Sequence, residues 1–175
     1  MPNYIRADVP GGSYFFTVAL AERSGTLLVD HIDALRLAFR KEQKANAFKV
    51  DAIVVLPDHL HCIWTLPPAD ADFAGRWQRI KAAFSQGLPR TERISESRRS
   101  KGERGIWQRR YWEHLIRDER DMAAHVAYIH FNPVKHSHVE RVADWPHSSF
   151  HRFVRQGLIP ADWGSEPPSD IAAGE

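Results

Sequence analysis

Two apolar runs in the middle of the chain stand only two residues apart, and this spacing leaves little choice of local fold. Residues 48–56 (FKVDAIVVL) and 59–66 (HLHCIWTL) are rich in β-branched and aromatic residues, while Pro57-Asp58 between them is typical of a turn. Strands joined by so short a connection pair antiparallel. The sequence therefore predicts a β-hairpin at this point.

Further elements on both sides of the hairpin extend the pattern. Residues 12–20 and 106–116 favour strands, because both are rich in aromatic residues. Apolar residues recur at helical spacing over 29–45, 70–86 and 118–132, the last ending near Pro133, and a short helix is expected over 148–156. The resulting order β-α-β-β-α-β-α predicts an α+β, ferredoxin-like fold: an antiparallel sheet with helices on one face, plus a short C-terminal helix and tail.

Length and composition indicate one domain in a chain of 175 residues. We expect the domain to span 1–160 and the acidic tail 161–175, which has no basic residue, to be disordered. No apolar run approaches the roughly 20 residues of a membrane span. A single cysteine, Cys62, excludes an internal disulfide. These features predict a cytoplasmic protein with no membrane partner.

Charge is concentrated in one segment. Residues 76–117 contain twelve basic and four acidic residues, a net charge of +8, whereas the remainder of the chain carries −6. Such asymmetry favours binding to a polyanion, although a solvated arginine-rich surface is the alternative. Trp107, Tyr111 and Trp112 could stack on unpaired bases or belong to the core. The candidate DNA-binding residues are Arg76, Arg79, Lys81, Arg98, Arg99, Lys101, Arg104, Arg109 and Arg110.

A histidine pair opens the second strand of the hairpin. Side chains alternate along a strand, so His59 and His61 point to one face and Leu60 to the other. Two imidazoles on one face can bind the same divalent ion. The pair alone is weak evidence, because His136 and His138 repeat the spacing.

The helix predicted over 118–132 supplies further polar groups. Asp121, His125, Tyr128 and Asn132 follow one another at i, i+4, i+7 and i+11, so they share a stripe. An apolar stripe lies about a quarter-turn away and is expected to pack on the sheet. Tyr128 and Asn132 should therefore lie at the edge of the helix face that meets the sheet.

These residues carry a resemblance to a known family. The chain resembles the REP-associated tyrosine transposases, a bacterial branch of the HUH single-strand nucleases. The matching stretches cover most of residues 2–163, and LPDHLH (56–61) and YIHFNPVK (128–135) in this order are specific. The other stretches are PGGSYFFTV, RWQRIKAAFS, GIWQRRYWEHLIRDERD and DWPHSSFHRFV.

The resemblance implies a role for each residue of the site. His59 and His61 match the histidine metal ligands and Tyr128 matches the nucleophile. Asn132 stands where related insertion-sequence enzymes have a glutamine ligand that is one methylene longer. The implied activity is metal-dependent cleavage and strand transfer of single-stranded or hairpin DNA through a 5′-phosphotyrosine, with Mg²⁺ or Mn²⁺ as the implied ion.

Two other functions remain open at the level of sequence. The first is a DNA-hairpin-binding protein on the same fold that does not cleave. The second is a zinc hydrolase, which is disfavoured because the chain lacks a third strong ligand and the glutamate of an HExxH motif. The sequence leaves open whether the protein is a monomer or a dimer.

Overall fold

The computed structural model describes residues 6–175 and contains the predicted elements in the predicted order. Residues 1–5, part of the domain predicted for 1–160, lie outside the described residues. In chain order the elements are β1 (Ser13–Ala19), α1 (Leu27–Asp30), α2 (Ile32–Ala45), β2 (Lys49–Val55), β3 (His59–Thr65), α3 (Phe73–Gln86), α4 (Glu96–Arg99), β4 (Trp112–Leu115), α5 (Glu119–Lys135), a 3₁₀ turn (Val142–Asp144) and α6 (Phe150–Arg155).

The strands form one antiparallel sheet in the order β2-β3-β1-β4. The predicted hairpin is present: Val55 pairs with Leu60, and the register shifts between Val50 and Ala52. β1 lies between β3 and β4, so the first and last strands of the pattern are neighbours although about a hundred residues separate them. The predicted α+β class is confirmed.

The alternation of side chains along each strand gives the sheet two different faces. Helices α2 and α3 cover one face, where Phe16, Trp64 and Trp77 belong to an aromatic core; the rings of Trp64 and Trp77 stack with centroids 4.3 Å apart. Helix α5 packs on the other face against β2 and β3, with Ile129 buried beside Phe15. The expectation that the helices lie on one face is therefore wrong for α5: α2 and α3 share one face, and α5 covers the opposite one because its apolar side chains pack on β2 and β3.

The prediction that the helix carrying Tyr128 ends near Pro133 is wrong. Helix α5 continues to Lys135 with Pro133 inside it. A proline removes one helical hydrogen bond, and near the end of a helix few bonds remain to be disturbed. The amide of His136 still donates to the carbonyl of Asn132 at 3.0 Å. The extra turn places Lys135 two turns beyond Tyr128, on the same side of the helix.

Three other elements differ from prediction in extent. The strand expected over 106–116 pairs continuously only over Trp112–Leu115, and Trp107 makes an isolated bridge to Leu20. The helix expected over 29–45 is divided at His31 into α1 and α2. The loop expected over 88–105 includes the single turn α4. Within residues 6–175, no helix has the length and apolarity needed to cross a membrane.

Candidate active site

The histidine pair lies on the sheet face that α5 covers, and both side chains are buried. Nδ1 of His59 lies 2.8 Å from Oδ1 of Asp58, in the hairpin turn. Nδ1 of His61 lies 2.8 Å from the Thr17 hydroxyl, on the facing residue of β1. Each ring is thus held through Nδ1, so that its Nε2 atom is directed into the site.

Burial also sets the charge of the two imidazoles. Desolvation, together with the neighbouring His61, lowers the pKa of His59 to about 4. Burial likewise lowers the pKa of His61. Both rings are therefore neutral at pH 7, the form in which imidazole binds a metal ion.

Helix α5 brings Tyr128 and Asn132 to the histidines, as the predicted stripe requires. The Tyr128 ring lies edge-on to the His61 ring with centroids 5.4 Å apart, and Asn132 is fully buried. Two polar atoms in this part of the described chain have no hydrogen-bond partner, namely Nε2 of His59 and Oδ1 of Asn132. Buried atoms without partners are costly, and both carry lone pairs that a cation would satisfy.

A residue that the sequence did not single out, Glu175, reaches into the same site. Its Oε1 accepts from the Tyr128 hydroxyl and lies 3.0 Å from Nε2 of His61 and 3.2 Å from Nδ2 of Asn132. Its Oε2 lies 2.8 Å from Nζ of Lys135. The segment 161–175 was predicted to be disordered; in the structure it forms no helix or strand, and the Ala173 carbonyl accepts from Thr17.

The carboxylate and the phenol affect one another's protonation. Burial acts to raise the pKa of Glu175, but hydrogen bonds from His136, His61, Lys135 and Tyr128 lower it below its ordinary value. Burial raises the pKa of Tyr128 to about 12; Glu175 acts in the same direction and the ammonium of Lys135 acts against it. The site therefore holds an anion beside a protonated phenol.

Two of the predicted DNA-binding arginines have structural roles. Arg76 is 2% exposed, pairs with Asp70 at 2.7 Å and donates to the carbonyl of Ala47. Arg104 pairs with Glu92 and donates to the carbonyl of Leu88 at 3.0 Å. Both guanidiniums tie neighbouring segments together. For the buried Arg76 this overturns the expectation that it binds phosphate; for the half-buried Arg104 phosphate binding stays a prediction.

Five of the other predicted DNA-binding cations are exposed, whereas Lys81 and Arg98 are half-buried. Arg79 pairs with Glu42 and Arg109 pairs with Glu103. Lys81 and Arg98 line a cleft of about 810 Å³ between α3 and residues 98–111, together with Trp107 and Tyr111. Within residues 6–175, no ion pair involves the exposed cations Arg99, Lys101 and Arg110.

A second group of histidines lies beside the site. Nε2 of His114 and Nδ1 of His125 lie 2.8 and 3.2 Å from the two carboxylate oxygens of Asp121, and the two rings stack with centroids 4.6 Å apart. Phe15 separates this cluster from the first site, because its ring contacts both His61 and His125. Asp121 also accepts from the backbone amide of Arg117 at 2.9 Å, so the cluster ties β4 to the start of α5, as expected of histidines with a structural role.

Comparison with known proteins gives a consistent result over the full chain, although no protein-family model matches it. The chain is 46% identical over 172 residues to a Haemophilus influenzae protein named as a REP-associated tyrosine transposase, covering 98% of both. It is 45% identical over 175 residues to the REP-associated tyrosine transposase of Escherichia coli, covering 100% of this chain and 98% of the relative. A solved structure of the REP-associated tyrosine transposase bound to a REP hairpin shares 44% identity, with a TM-score of 0.86 and coverage of 100% of this chain and 98% of the other.

Proposed function

The chain belongs to the REP-associated tyrosine transposases, and we propose that this tyrosine transposase cuts and rejoins single-stranded DNA beside a hairpin through a covalent bond to Tyr128. The related structure is bound to a REP hairpin, which supports hairpin DNA as the partner of this chain. The alternative is a protein that binds the hairpin without cleaving it.

One observation carries the proposal: three donors converge on a single carboxylate. Tyr128 and Asn132 donate to Oε1 of Glu175, which also lies beside Nε2 of His61, while Lys135 donates to Oε2. A phosphodiester has the same charge as a carboxylate and also presents two oxygens to its donors. The arrangement supports binding of a scissile phosphate in place of Glu175, with the phenolic oxygen beside the phosphorus.

The chemistry then follows from the phenol. The Tyr128 oxygen attacks phosphorus in line with the leaving 3′-oxygen, so that a tyrosine–phosphorus bond forms and the phosphorus–O3′ bond breaks. The phenol loses its proton to water and the released 3′-oxygen gains one. In the joining step a 3′-hydroxyl loses its proton to water and attacks phosphorus; the phosphorus–oxygen bond to Tyr128 breaks, and the released phenolate takes a proton from water. The covalent bond preserves the energy of the phosphodiester, so no nucleotide cofactor is required.

The residues present fit a divalent ion. The unpartnered atoms Nε2 of His59 and Oδ1 of Asn132, together with Nε2 of His61, form a set of two nitrogens and one oxygen. A bound ion such as Mg²⁺ or Mn²⁺ would supply positive charge that polarises a phosphoryl oxygen. Asp58 and Thr17 hold the two imidazoles in the orientation that such binding needs.

The exposed cations are the candidates for the DNA backbone. Arg99, Lys101 and Arg110 are exposed, and the cleft lined by Lys81 and Trp107 lies in the same segment. Cations contact phosphates and aromatic rings stack on unpaired bases. We expect the single-stranded flank of the hairpin to follow this basic segment.

A nicking assay tests the proposal. A hairpin oligonucleotide with single-stranded flanks is incubated with the protein in Mn²⁺, and a denaturing gel resolves both the cut strand and a slower protein–DNA adduct. We expect both products with the wild type, and neither with chelator or with Tyr128→Phe, whose hairpin affinity should stay within about twofold because a single hydroxyl is removed. Binding without cleavage by the wild type would establish the alternative instead.

A further inference from the structure

We propose that Lys135 is a catalytic residue whose ammonium group holds the Tyr128 oxygen and stabilises its negative charge, both when it attacks phosphorus and when it is expelled. The inference rests on the proposed function, since it needs Tyr128 as nucleophile. It adds a residue one turn beyond Asn132, on the side of α5 that carries Tyr128.

The ammonium of Lys135 contacts the Tyr128 oxygen, the atom proposed to attack phosphorus. Nζ of Lys135 lies 2.8 Å from the Tyr128 hydroxyl and 4.7 Å from the centroid of the tyrosine ring. Among the described residues, no other ammonium or guanidinium contacts this hydroxyl. A charged donor at this distance makes a strong hydrogen bond to an oxygen that becomes anionic.

The course of α5 explains why the Lys135 side chain can reach the Tyr128 hydroxyl. Lys135 follows Tyr128 by seven residues, two helical turns, and the helix must pass Pro133 for the two side chains to align. The Lys135 side chain is partly exposed, and its second contact in this structure is Oε2 of Glu175. When a phosphate replaces that carboxylate, the same ammonium bridges the nucleophile and the phosphate.

Lys135 needs no proton transfer of its own for this role. The Tyr128 proton passes to water during attack, the 3′-oxygen takes a proton from water as it leaves, and Lys135 stays protonated throughout. In the joining step the same charge stabilises the departing phenolate. The ammonium therefore lowers the barrier in both directions.

The experiment compares three variants in single-turnover cleavage and in joining of a purified adduct. Lys135→Met should slow both reactions by about 100-fold, since removing one preorganised donor costs that much, while hairpin affinity stays within threefold. Lys135→Arg should recover most of the rate because it restores a cationic donor. Lys41→Met, which removes an exposed lysine on α2, should match the wild type, and circular dichroism verifies that every variant is folded.

The possible outcomes separate the two proposals. If the wild type forms an adduct that Tyr128→Phe lacks, yet Lys135→Met reacts within threefold of the wild type, the role of Lys135 is overturned and the nucleophile stands. The role is also overturned if Lys135→Arg reacts as slowly as Lys135→Met. It is overturned as well if Lys135→Met loses as much hairpin affinity as it loses rate. If the wild type forms no adduct on Tyr128, both proposals fail.

Discussion

The two faces of the sheet bury different kinds of side chain, although the same strand lines both. On the face covered by α2 and α3, β3 contributes Leu60, Cys62 and Trp64 to an aromatic core. On the face covered by α5, the same strand contributes His59 and His61, which lie among other buried polar groups. A strand alternates its side chains, so one short sequence can stabilise the fold and build a reactive site at once.

The difference has a physical consequence. Apolar groups on the first face gain free energy by leaving water, whereas the polar groups on the second face lose hydration and must find partners. Some of them find none within the described chain, namely Nε2 of His59 and Oδ1 of Asn132. The proposed function assigns binding and reaction to the second face, and the first face contributes stability.

The largest effects are expected from two adjacent residues of β3, His61 and Leu60, which point to opposite faces of the sheet. His61→Ala should lower cleavage by at least about 100-fold, because it removes a ligand from the proposed metal site, and should weaken Mn²⁺ binding measured by electron paramagnetic resonance. Leu60→Ala should lower the free energy of unfolding by about 2–5 kcal/mol but leave cleavage below its melting temperature within fivefold. A stable but inactive Leu60→Ala, or an active His61→Ala, would break the division between the faces.

The buried polar groups of the second face should also make stability depend on pH. Burial lowers the pKa of His130 to about 4, below the value of about 6.5 in an unfolded chain. The unfolded state binds the proton first as the pH falls, so this stability is present above pH 6.5 and is lost progressively toward pH 4. The loss attributable to His130 is at most about 3 kcal/mol. Urea unfolding at pH 7 and pH 4.5 should show a smaller decrease in His130→Gln than in the wild type; equal decreases would refute this assignment.

The basic segment should divide in the same way into stabilising and binding residues. Each cation that neutralises a single-strand phosphate contributes about −0.7 to the slope of log K against log salt. Changing Arg99, Lys101 and Arg110 together to glutamine should therefore flatten the slope by about 2. The control Arg76→Gln removes a buried ion pair, so it should lower the melting temperature and leave the slope unchanged. The reverse pattern would place the DNA path on α3.

The smallest effect is expected at Asn132. A carboxamide is a weaker ligand than an imidazole, and water can take its place. Asn132→Ala should therefore slow cleavage by less than about tenfold, and added Mn²⁺ should raise the rate of this variant. Titration of the cleavage rate with Mn²⁺ measures this directly. A loss as large as that of His61→Ala would make Asn132 an essential ligand.

Much of this division could be predicted from sequence, for reasons that differ between elements. The hairpin was predictable because Pro57-Asp58 fixes a short antiparallel connection, and the alternation of His59, Leu60 and His61 assigns their faces. The burial of Arg76 could not be predicted, since the sequence around a helical arginine does not show whether the side chain contacts DNA or Asp70. Lys135 was missed because Pro133 signals the end of a helix.

Glu175 could not have been predicted from any local pattern. Its segment is acidic and lacks hydrophobic periodicity, which is typical of disorder. The contacts that place it come from residues more than thirty positions away, namely His61, Tyr128 and Lys135. Long-range contacts of this kind arise from the complete fold.

The central claim, that the polar face carries the chemistry through Tyr128, is tested most directly by mapping the adduct. After reaction with a hairpin oligonucleotide, trypsin digestion should yield the peptide 121–135, which contains Tyr128, and separately the peptide 111–117, which contains Tyr111. Mass spectrometry should find the 5′-phosphoryl oligonucleotide on the 121–135 peptide, with fragmentation assigning it to Tyr128. An oligonucleotide on the 111–117 peptide would contradict the account, as would cleavage with no covalent adduct.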